Sequence, residues 1–189
     1  VWVIHCETTS GIVNPVTDIA SVVRGRGRRF MVDAMSSFGA LPLDMRDGLD
    51  VMVSSSNKCI EGVPGFSYVL VKRHMLEMSK GRSHSVVLDL YEQWKGLEAN
   101  GQFRFTPPTH ALVAFHQAMK EHAAEGGVEA RGNRYARNAD LLVEGMRDIG
   151  FSTLLNDNEA GPIIQTFLTP RDPNFDFEHF YESLRMRGF

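Results

Sequence analysis

Short apolar runs recur through residues 1–71, separated by helical or glycine-rich spacers. The runs predict four strands, at Trp2–His5, Phe30–Asp33, Asp50–Ser54 and Ser67–Val71. They are rich in Val, Ile and Met without polar alternation, which predicts burial on both faces and a mostly parallel sheet covered by helices. A crossover helix is predicted over Thr17–Arg24, whose apolar residues have helical spacing. The pattern therefore indicates an α/β fold.

Helical spacing dominates residues 89–150 of the chain. A short helix is predicted over Asp89–Leu97, and two longer helices follow, divided near Gly126 and ended by Gly150. Thr106 stands before two prolines and is expected to be the N-cap of the first long helix. Apolar stripes are predicted to pack both helices into the core. They comprise Leu112, Phe115 and Met119 in the first helix, and Tyr135, Leu142, Met146 and Ile149 in the second.

The tail of the chain changes character near residue 150. Strands are predicted near 151–155 and 163–168, followed by a helix over Asp176–Arg187. We therefore predict a large domain at residues 1–150 and the beginning of a small α+β domain at residues 151–189. Residue 1 already lies in an apolar run, and the last residue follows a glycine helix stop. The chain is accordingly expected to be truncated at both ends, as the interior of a longer protein.

Composition narrows the class of protein. The chain is 43% hydrophobic and 23% charged, as in soluble globular proteins. A net charge of -3 gives no reason to expect nucleic acid or a membrane surface as a partner, and no apolar stretch is long enough to span a bilayer. Cys6 and Cys59 form no CxxC pair, which favours a reducing cytoplasm and leaves a disulfide between them open.

Two other patterns carry weaker signals. The basic run at residues 24–29 has no aromatic residues interleaved to stack on bases, so a solvated loop is favoured over a nucleic-acid site. His110, His116 and His122 repeat every six residues, a spacing that does not gather them on one helix face. No metal site is therefore predicted.

Lys58 and Asp33 form the candidate catalytic pair. Each follows a predicted buried strand, and ligands of parallel sheets collect at the carboxyl ends of the strands. An aldehyde cofactor of the pyridoxal type needs a lysine that bonds to it and a carboxylate that keeps its pyridine nitrogen protonated. A lysine in this place is often a solvated loop residue, but the other lysines lie in plainly charged, helical or loop contexts. Donors for the phosphate and phenolic oxygen are available from Thr8, Ser55, Ser56, Asn57 and Thr106.

Three segments that surround these residues resemble class V, fold type I aminotransferases. They are His5–Gly11, Asp33–Gly39 and Ser55–Gly65. Within the class the chain is most similar to the 2-aminoethylphosphonate–pyruvate transaminases, through Lys80–Ser83, Leu88–Tyr91 and Phe105–His110. The resemblance covers essentially the whole chain. It implies the fold type I architecture, pyridoxal 5'-phosphate as cofactor, and an amine and a 2-oxo acid as substrates.

The resemblance also implies roles for individual residues. Lys58 resembles the Schiff-base lysine of the family, and Asp33 matches the carboxylate on the pyridine nitrogen. Thr8 matches the hydroxyl near the phenolic oxygen, and Asn57 matches the polar side chain beside the lysine. Thr106 matches a residue that reaches the cofactor phosphate of the neighbouring subunit, which implies a homodimer with a shared active site.

Two family elements have no counterpart in this sequence. The phosphate loop with its ring-stacking aromatic residue would precede residue 1, and the arginine for the keto-acid carboxylate would follow residue 189. A phosphonate dianion favours arginine, which can bind it through two parallel hydrogen bonds. Arg82 and Arg104 are the candidates, although each could be an ordinary surface arginine.

Three alternatives stay open. The first is another class V activity, alanine–glyoxylate or serine–pyruvate transamination. The second, a cysteine desulfurase, fits less well because that branch places a histidine before its lysine, where this chain has Asn57. The third is a non-catalytic fragment.

Overall fold

The computed structural model describes residues 1–189 and contains a four-stranded sheet in the order β1-β2-β3-β4. Its strands are β1 Trp2–Ile4, β2 Met31–Asp33, β3 Val51–Ser55 and β4 Ser67–Val71. The first three run parallel to one another, and β4 runs antiparallel to β3. The mostly parallel sheet is confirmed, and the antiparallel strand lies at one edge.

Six helices and a second, two-stranded sheet complete the fold. The helices are α1 Val16–Gly25, α2 Arg73–Met78, α3 Leu90–Asn100, α4 Thr109–Glu125, α5 Gly127–Asp148 and α6 Phe177–Arg185. The small antiparallel sheet pairs β5 Ser152–Thr153 with β6 Phe167–Leu168. All predicted helices are present with shifted ends, and α2 was not predicted. The division into domains at residue 150 stays a prediction. No helix is both long and apolar enough to cross a membrane.

The core lies between α1 and the parallel strands. Val16, Ala20 and Val23 form the buried face of α1, at the spacing that places them on one side of a helix. They pack in one cluster with Phe30 and Val32, which are fully buried beside and within β2. Burying each of the larger side chains stabilises the fold by about 1.5–3 kcal/mol. This cluster supports the sheet from one side.

The prediction that every strand is buried on both faces is wrong for β4, where Leu70 is 41% exposed, and for β1. Val3 packs against the core beside α1, whereas its neighbours Trp2 and Ile4 are 54% and 38% exposed. Successive side chains of a strand point to opposite faces, so the outer face of β1 is open to solvent. The unbroken apolar sequence therefore does not indicate what covers each face.

The N-terminus and the packing face of α4 also differ from the prediction. Pro108, not Thr106, is the N-cap, and the helix begins at Thr109. Its buried residues are Ala111, Ala118 and His122, while Met119 is 40% exposed. Small residues occur on this face because α4 lies close to the backbone at Gly65. A Cβ added to Gly65 would lie 2.6 Å from the Ala111 Cβ.

The predicted apolar stripe of α5 is wrong as well. Leu142 and Ile149 are 50% and 68% exposed, and the buried residue of this helix is Arg131. Close packing of α5 occurs instead at Gly132, where a Cβ would lie 2.4 Å from the Ala40 carbonyl oxygen. Helical periodicity detects an apolar face without indicating whether another element lies opposite it.

Candidate active site

The loops that follow the three parallel strands converge on one cavity. Thr8 follows β1, Ser36 follows β2, and Asn57 and Lys58 follow β3. Because the strands are parallel, these loops leave the sheet at the same edge. The structure therefore has a cavity at the carboxyl ends of the strands, where the sequence predicts the site.

The cavity has a volume of about 380 Å³, within the usual range of roughly 300–1,000 Å³ for small-ligand sites. It is lined by Thr8, Ser36, Asn57, Lys58, Cys59, Glu61, Tyr135, Ile163 and Ile164. Three of these residues were candidates from the sequence. The structure adds hydroxyl, carboxylate, phenol and branched aliphatic side chains around the lysine.

Hydroxyl groups connect the loops that follow β1 and β2. Thr8 Oγ1 lies 3.2 Å from Ser36 Oγ, within hydrogen-bonding distance. One layer deeper, buried His5 has its Nδ1 2.9 Å from Ser37 Oγ. Burial lowers the pKa of His5, because its charged form would lose hydration. These contacts fix the Thr8 hydroxyl relative to the loop that begins with Asp33.

The loop that carries Lys58 is a tight turn. The Glu61 amide donates to the Lys58 carbonyl at 2.7 Å, and the Gly62 amide donates to the Ser56 carbonyl at 2.9 Å. Glu61 has a φ of 61°, a left-handed conformation that is uncommon outside glycine. Strain of this kind persists only where surrounding contacts maintain it.

Two side chains near the lysine have pKa values raised mainly by burial. The Cys59 thiol is buried, lies 3.3 Å from the Ser36 carbonyl, and has its pKa raised to about 11. The Tyr135 hydroxyl donates to Glu61 Oε1 at 3.2 Å, and burial raises its pKa to about 12. Both groups are therefore neutral near pH 7.

Residues from the tail of the chain form the remaining wall. The Gly161 amide donates to the Gly11 carbonyl at 3.0 Å, and Thr166 Oγ1 donates to the Thr9 carbonyl at 3.0 Å. A Cβ on Gly11 would lie 2.2 Å from the Ile164 carbonyl oxygen, so only glycine permits this approach. These contacts hold the segment that contains Ile163 and Ile164 against the Thr8 loop.

Asp33 ends β2 beside the cavity but is not among its lining residues. Its carboxylate accepts a hydrogen bond from the Met35 amide at 2.9 Å, and its backbone carbonyl accepts from the His5 amide at 2.8 Å. The carboxylate therefore has a defined position at the carboxyl end of a strand that lies between β1 and β3.

Thr106, Arg82 and Arg104 do not line the cavity within a single chain. All three are exposed, in the irregular segments on either side of α3. Arg104 donates to the Val86 carbonyl at 3.0 Å and lies over the Phe105 ring. The structure brings together Thr8, Asn57 and Lys58, and places these other three residues elsewhere.

The sequence analysis assigned no part in the site to Ser36, Glu61, Tyr135, Ile163 and Ile164. Ser36 and Glu61 could have been found, since both lie inside the motifs that surround Asp33 and Lys58. Tyr135 and the two isoleucines come from α5 and the tail, and no local pattern indicates that they reach the cavity. No group of three His, Cys, Asp or Glu residues is arranged to hold a metal ion.

Comparison with known proteins extends over nearly the whole chain. Residues 1–180 match the family model described as aminotransferase class-V. Proteins named 2-aminoethylphosphonate–pyruvate transaminase from Rhizobium meliloti (strain 1021) and Phocaeicola vulgatus are 53% and 54% identical over 100% of this chain. The alignments cover 50% and 52% of those proteins. The chain thus spans about half the length of the curated relatives it matches.

Solved structures show the same fold. An alanine–glyoxylate aminotransferase from Nostoc sp. superposes with a TM-score of 0.84 at 23% identity, over 99% of this chain and 50% of that one. A pyridoxamine–pyruvate aminotransferase from Mesorhizobium loti gives a TM-score of 0.81 at 27% identity, over 90% of this chain and 45% of that one. The predicted fold class is therefore confirmed.

Proposed function

The chain belongs to the class V aminotransferase family, and from this premise we propose that the complete protein transfers the amino group of 2-aminoethylphosphonate to pyruvate. The products are phosphonoacetaldehyde and L-alanine. The proposal is supported by full-chain similarity, at 53% and 54% identity, to proteins named for that reaction. The observation that carries it is the convergence of Lys58, Thr8 and Asn57 on one cavity at the carboxyl ends of parallel strands.

Pyridoxal 5'-phosphate is the proposed cofactor, and the polar lining of the cavity fits it. Thr8, Ser36 and Asn57 offer hydroxyl and amide groups around the Lys58 amine. Two residues before Asn57, Ser55 Oγ is buried without a hydrogen-bond partner in the protein. Buried polar groups are rarely left unpaired, so this hydroxyl is an available donor beside the lysine loop.

Each residue has a separate task in the proposed reaction. When bound, the cofactor supplies an aldehyde that takes up the amino group of the donor and later passes it to the 2-oxo acid. Lys58 would hold the cofactor through its amine and would move the proton at the carbon that bears the amino group. The Asp33 carboxylate would keep the pyridine nitrogen protonated, Thr8 would bind the phenolic oxygen, and Asn57 would lie near the phosphate.

We also propose a homodimer with a shared active site. Thr106 is exposed and lies outside the cavity of its own chain, as expected of a residue that reaches the phosphate in the partner subunit. Nearby, Val86, Val87 and Leu88 are 66%, 69% and 75% exposed. A contiguous exposed apolar segment of this kind is typical of a surface that another chain covers.

The phosphonate group is proposed to bind Arg82 or Arg104, the exposed arginines on either side of α3. Each would be replaced by alanine in the complete protein, and rates would be compared for 2-aminoethylphosphonate and an amine without a phosphonate. A pocket arginine lowers the rate selectively for the phosphonate. Equal losses for both amines would show that the assignment is wrong.

The reducing cytoplasm is the proposed compartment, since Cys6 and Cys59 are both free and buried.

The proposed function is tested by adding pyridoxal phosphate to the complete protein and recording the visible absorption of lysine-bound cofactor. We expect this band in the unaltered protein and its loss in Lys58→Ala. Lys120→Ala is the matched control, because Lys120 is exposed on α4 and lies outside the cavity. Absence of the band in the unaltered protein, or its persistence in Lys58→Ala, would contradict the proposal.

A further inference from the structure

Arg131 is a buried arginine that the proposed reaction does not use. Its side chain is 3% exposed, and it lies on the second turn of α5. Its guanidinium Nη1 donates a hydrogen bond to the Cys59 carbonyl at 2.5 Å. The same group lies 3.3 Å from Glu61 Oε2 and 2.6 Å from Glu125 Oε2. One side chain therefore joins the lysine loop to the corner between α4 and α5.

Arg134 contacts the same two carboxylates one turn further along α5. Its Nη2 lies 2.8 Å from Glu61 Oε1, and its Nε lies 2.8 Å from Glu125 Oε1. Its side chain is 37% exposed, and it does not bond to the lysine loop backbone. Of the two arginines, only Arg131 donates a hydrogen bond to a backbone carbonyl next to Lys58. Only Arg131 can therefore restrain the position of the lysine backbone.

We propose that Arg131 is a positioning residue that fixes the Lys58 amine for proton transfer, an inference that rests on the proposed function. The Cys59 carbonyl belongs to the residue directly after Lys58, so its bond to Arg131 restrains the backbone that carries the amine. Arg131 also forms an ion pair with Glu61, the residue in the strained left-handed conformation. One rigid, planar group thus holds the turn at two points that follow Lys58, the Cys59 carbonyl and the Glu61 carboxylate.

The ion pairs of Arg131 and Arg134 with Glu61 and Glu125 also affect the electrostatics of the cavity. Glu61 lines the cavity that is proposed to receive an anionic cofactor and an anionic donor. Two arginines and the Tyr135 hydroxyl bind its carboxylate, so its negative charge is compensated at the wall. Glu125 in turn has its pKa lowered to about 2, chiefly by the hydrogen bond from Arg134, and stays ionised at neutral pH.

The test compares Arg131→Met with Arg134→Met in the complete protein. Misplacement of a reacting group by about 1 Å costs on the order of 100-fold in rate, so we expect Arg131→Met to lower kcat by that order with KM little changed. In the apoprotein, bonding of added pyridoxal phosphate to Lys58 should slow to a similar extent, seen as slower growth of the visible band. Arg134→Met should give a much smaller change in both measurements.

A second variant separates positioning from folding. Arg131→Lys keeps a positive charge near Glu61 and Glu125 but lacks the planar fork that reaches the Cys59 carbonyl at the same time. We expect Arg131→Lys to have a melting temperature close to that of the unaltered protein. Its Lys58 should still react slowly with added pyridoxal phosphate. The inference is overturned if Arg131→Lys reacts at the native rate, or if the two methionine variants lose rate equally. A missing band in the unaltered protein would instead refute the proposed function itself.

Discussion

At the scale of single residues, the lysine loop separates two reactive side chains that are adjacent in sequence. Lys58 is exposed, whereas Cys59 is 2% exposed, and its thiol lies in the cavity wall against the Ser36 carbonyl. Burial raises the pKa of the thiol because it disfavours the charged thiolate, the form that reacts. The loop thus presents an amine to the site and withholds a thiol from solvent.

The buried thiol leads to a prediction about chemical modification. With a pKa of about 11, roughly one Cys59 in a thousand is a thiolate at pH 8, and access is restricted as well. We expect native protein treated with iodoacetamide to stay unmodified at Cys59, and urea-unfolded protein to be modified there. Peptide mass mapping measures both. Labelling of the native protein at the rate of a free cysteine would contradict the structure.

The sequence indicated the residues of the candidate site only as far as its motifs extend. Thr8, Asn57 and Lys58 follow strands within recognisable segments, and all three line the cavity. Tyr135 was assigned to an apolar stripe, yet its ring reaches the cavity and its hydroxyl binds Glu61. Contacts between residues so distant in the chain depend on how helices pack, which local spacing does not encode.

At the scale of secondary structure, the sequence predicted elements better than faces. The strand Ser67–Val71 has the predicted bounds. The capping role of Thr106 was wrong, since the chain turns into α4 only after Pro108. The stripes of α4 and α5 were right only in part: Phe115 packs against Phe66 and Tyr68, as predicted for the α4 stripe. The closest packing of the two helices depends on alanine and glycine, which an apolar pattern undervalues.

Two glycines of α5 provide a matched pair for this point. A Cβ on Gly132 would lie 2.4 Å from the Ala40 carbonyl oxygen, whereas a Cβ on Gly145 would meet nothing within 4 Å. We expect Gly145→Ala to stabilise the protein by up to about 1 kcal/mol, through helix propensity. Gly132→Ala should destabilise it by about 1–3 kcal/mol, through steric overlap with backbone.

Urea unfolding of the complete protein measures both changes. The two variants make the same substitution in the same helix, so the difference between them isolates the contact with Ala40. Equal shifts of the unfolding midpoint would show that α5 does not pack against the Ala40 segment as described.

At the scale of the whole molecule, the chain exposes more surface than its mass explains. Its accessible area is 12530 Å², whereas a folded monomer of 21.2 kDa is expected to expose about 9,100 Å². Large apolar residues contribute to the excess, among them Trp2 on β1 and the Val86–Leu88 segment. Such a surface is typical of a polypeptide that other chain segments or a partner cover.

This excess predicts how residues 1–189 behave alone. Exposed apolar surface and the open face of β1 favour association with other copies. We expect the isolated chain to bind a hydrophobic dye such as anilinonaphthalene sulfonate and to form concentration-dependent oligomers in sedimentation velocity. The complete protein is the control and should bind far less dye for each mole of chain. A monomeric isolated chain that binds no dye would contradict the prediction.

The hydrogen bond between Thr166 and Thr9 also determines when the site can exist. It joins positions 157 residues apart, and the neighbouring Ile163 and Ile164 form a wall of the cavity. Contacts of such long range close late in folding, because the loop entropy must first be overcome. During synthesis, Lys58 and its loop leave the ribosome long before that wall does. Lys58 therefore lies in an incomplete pocket until the segment that contains Ile163 and Ile164 packs against the loop that follows β1.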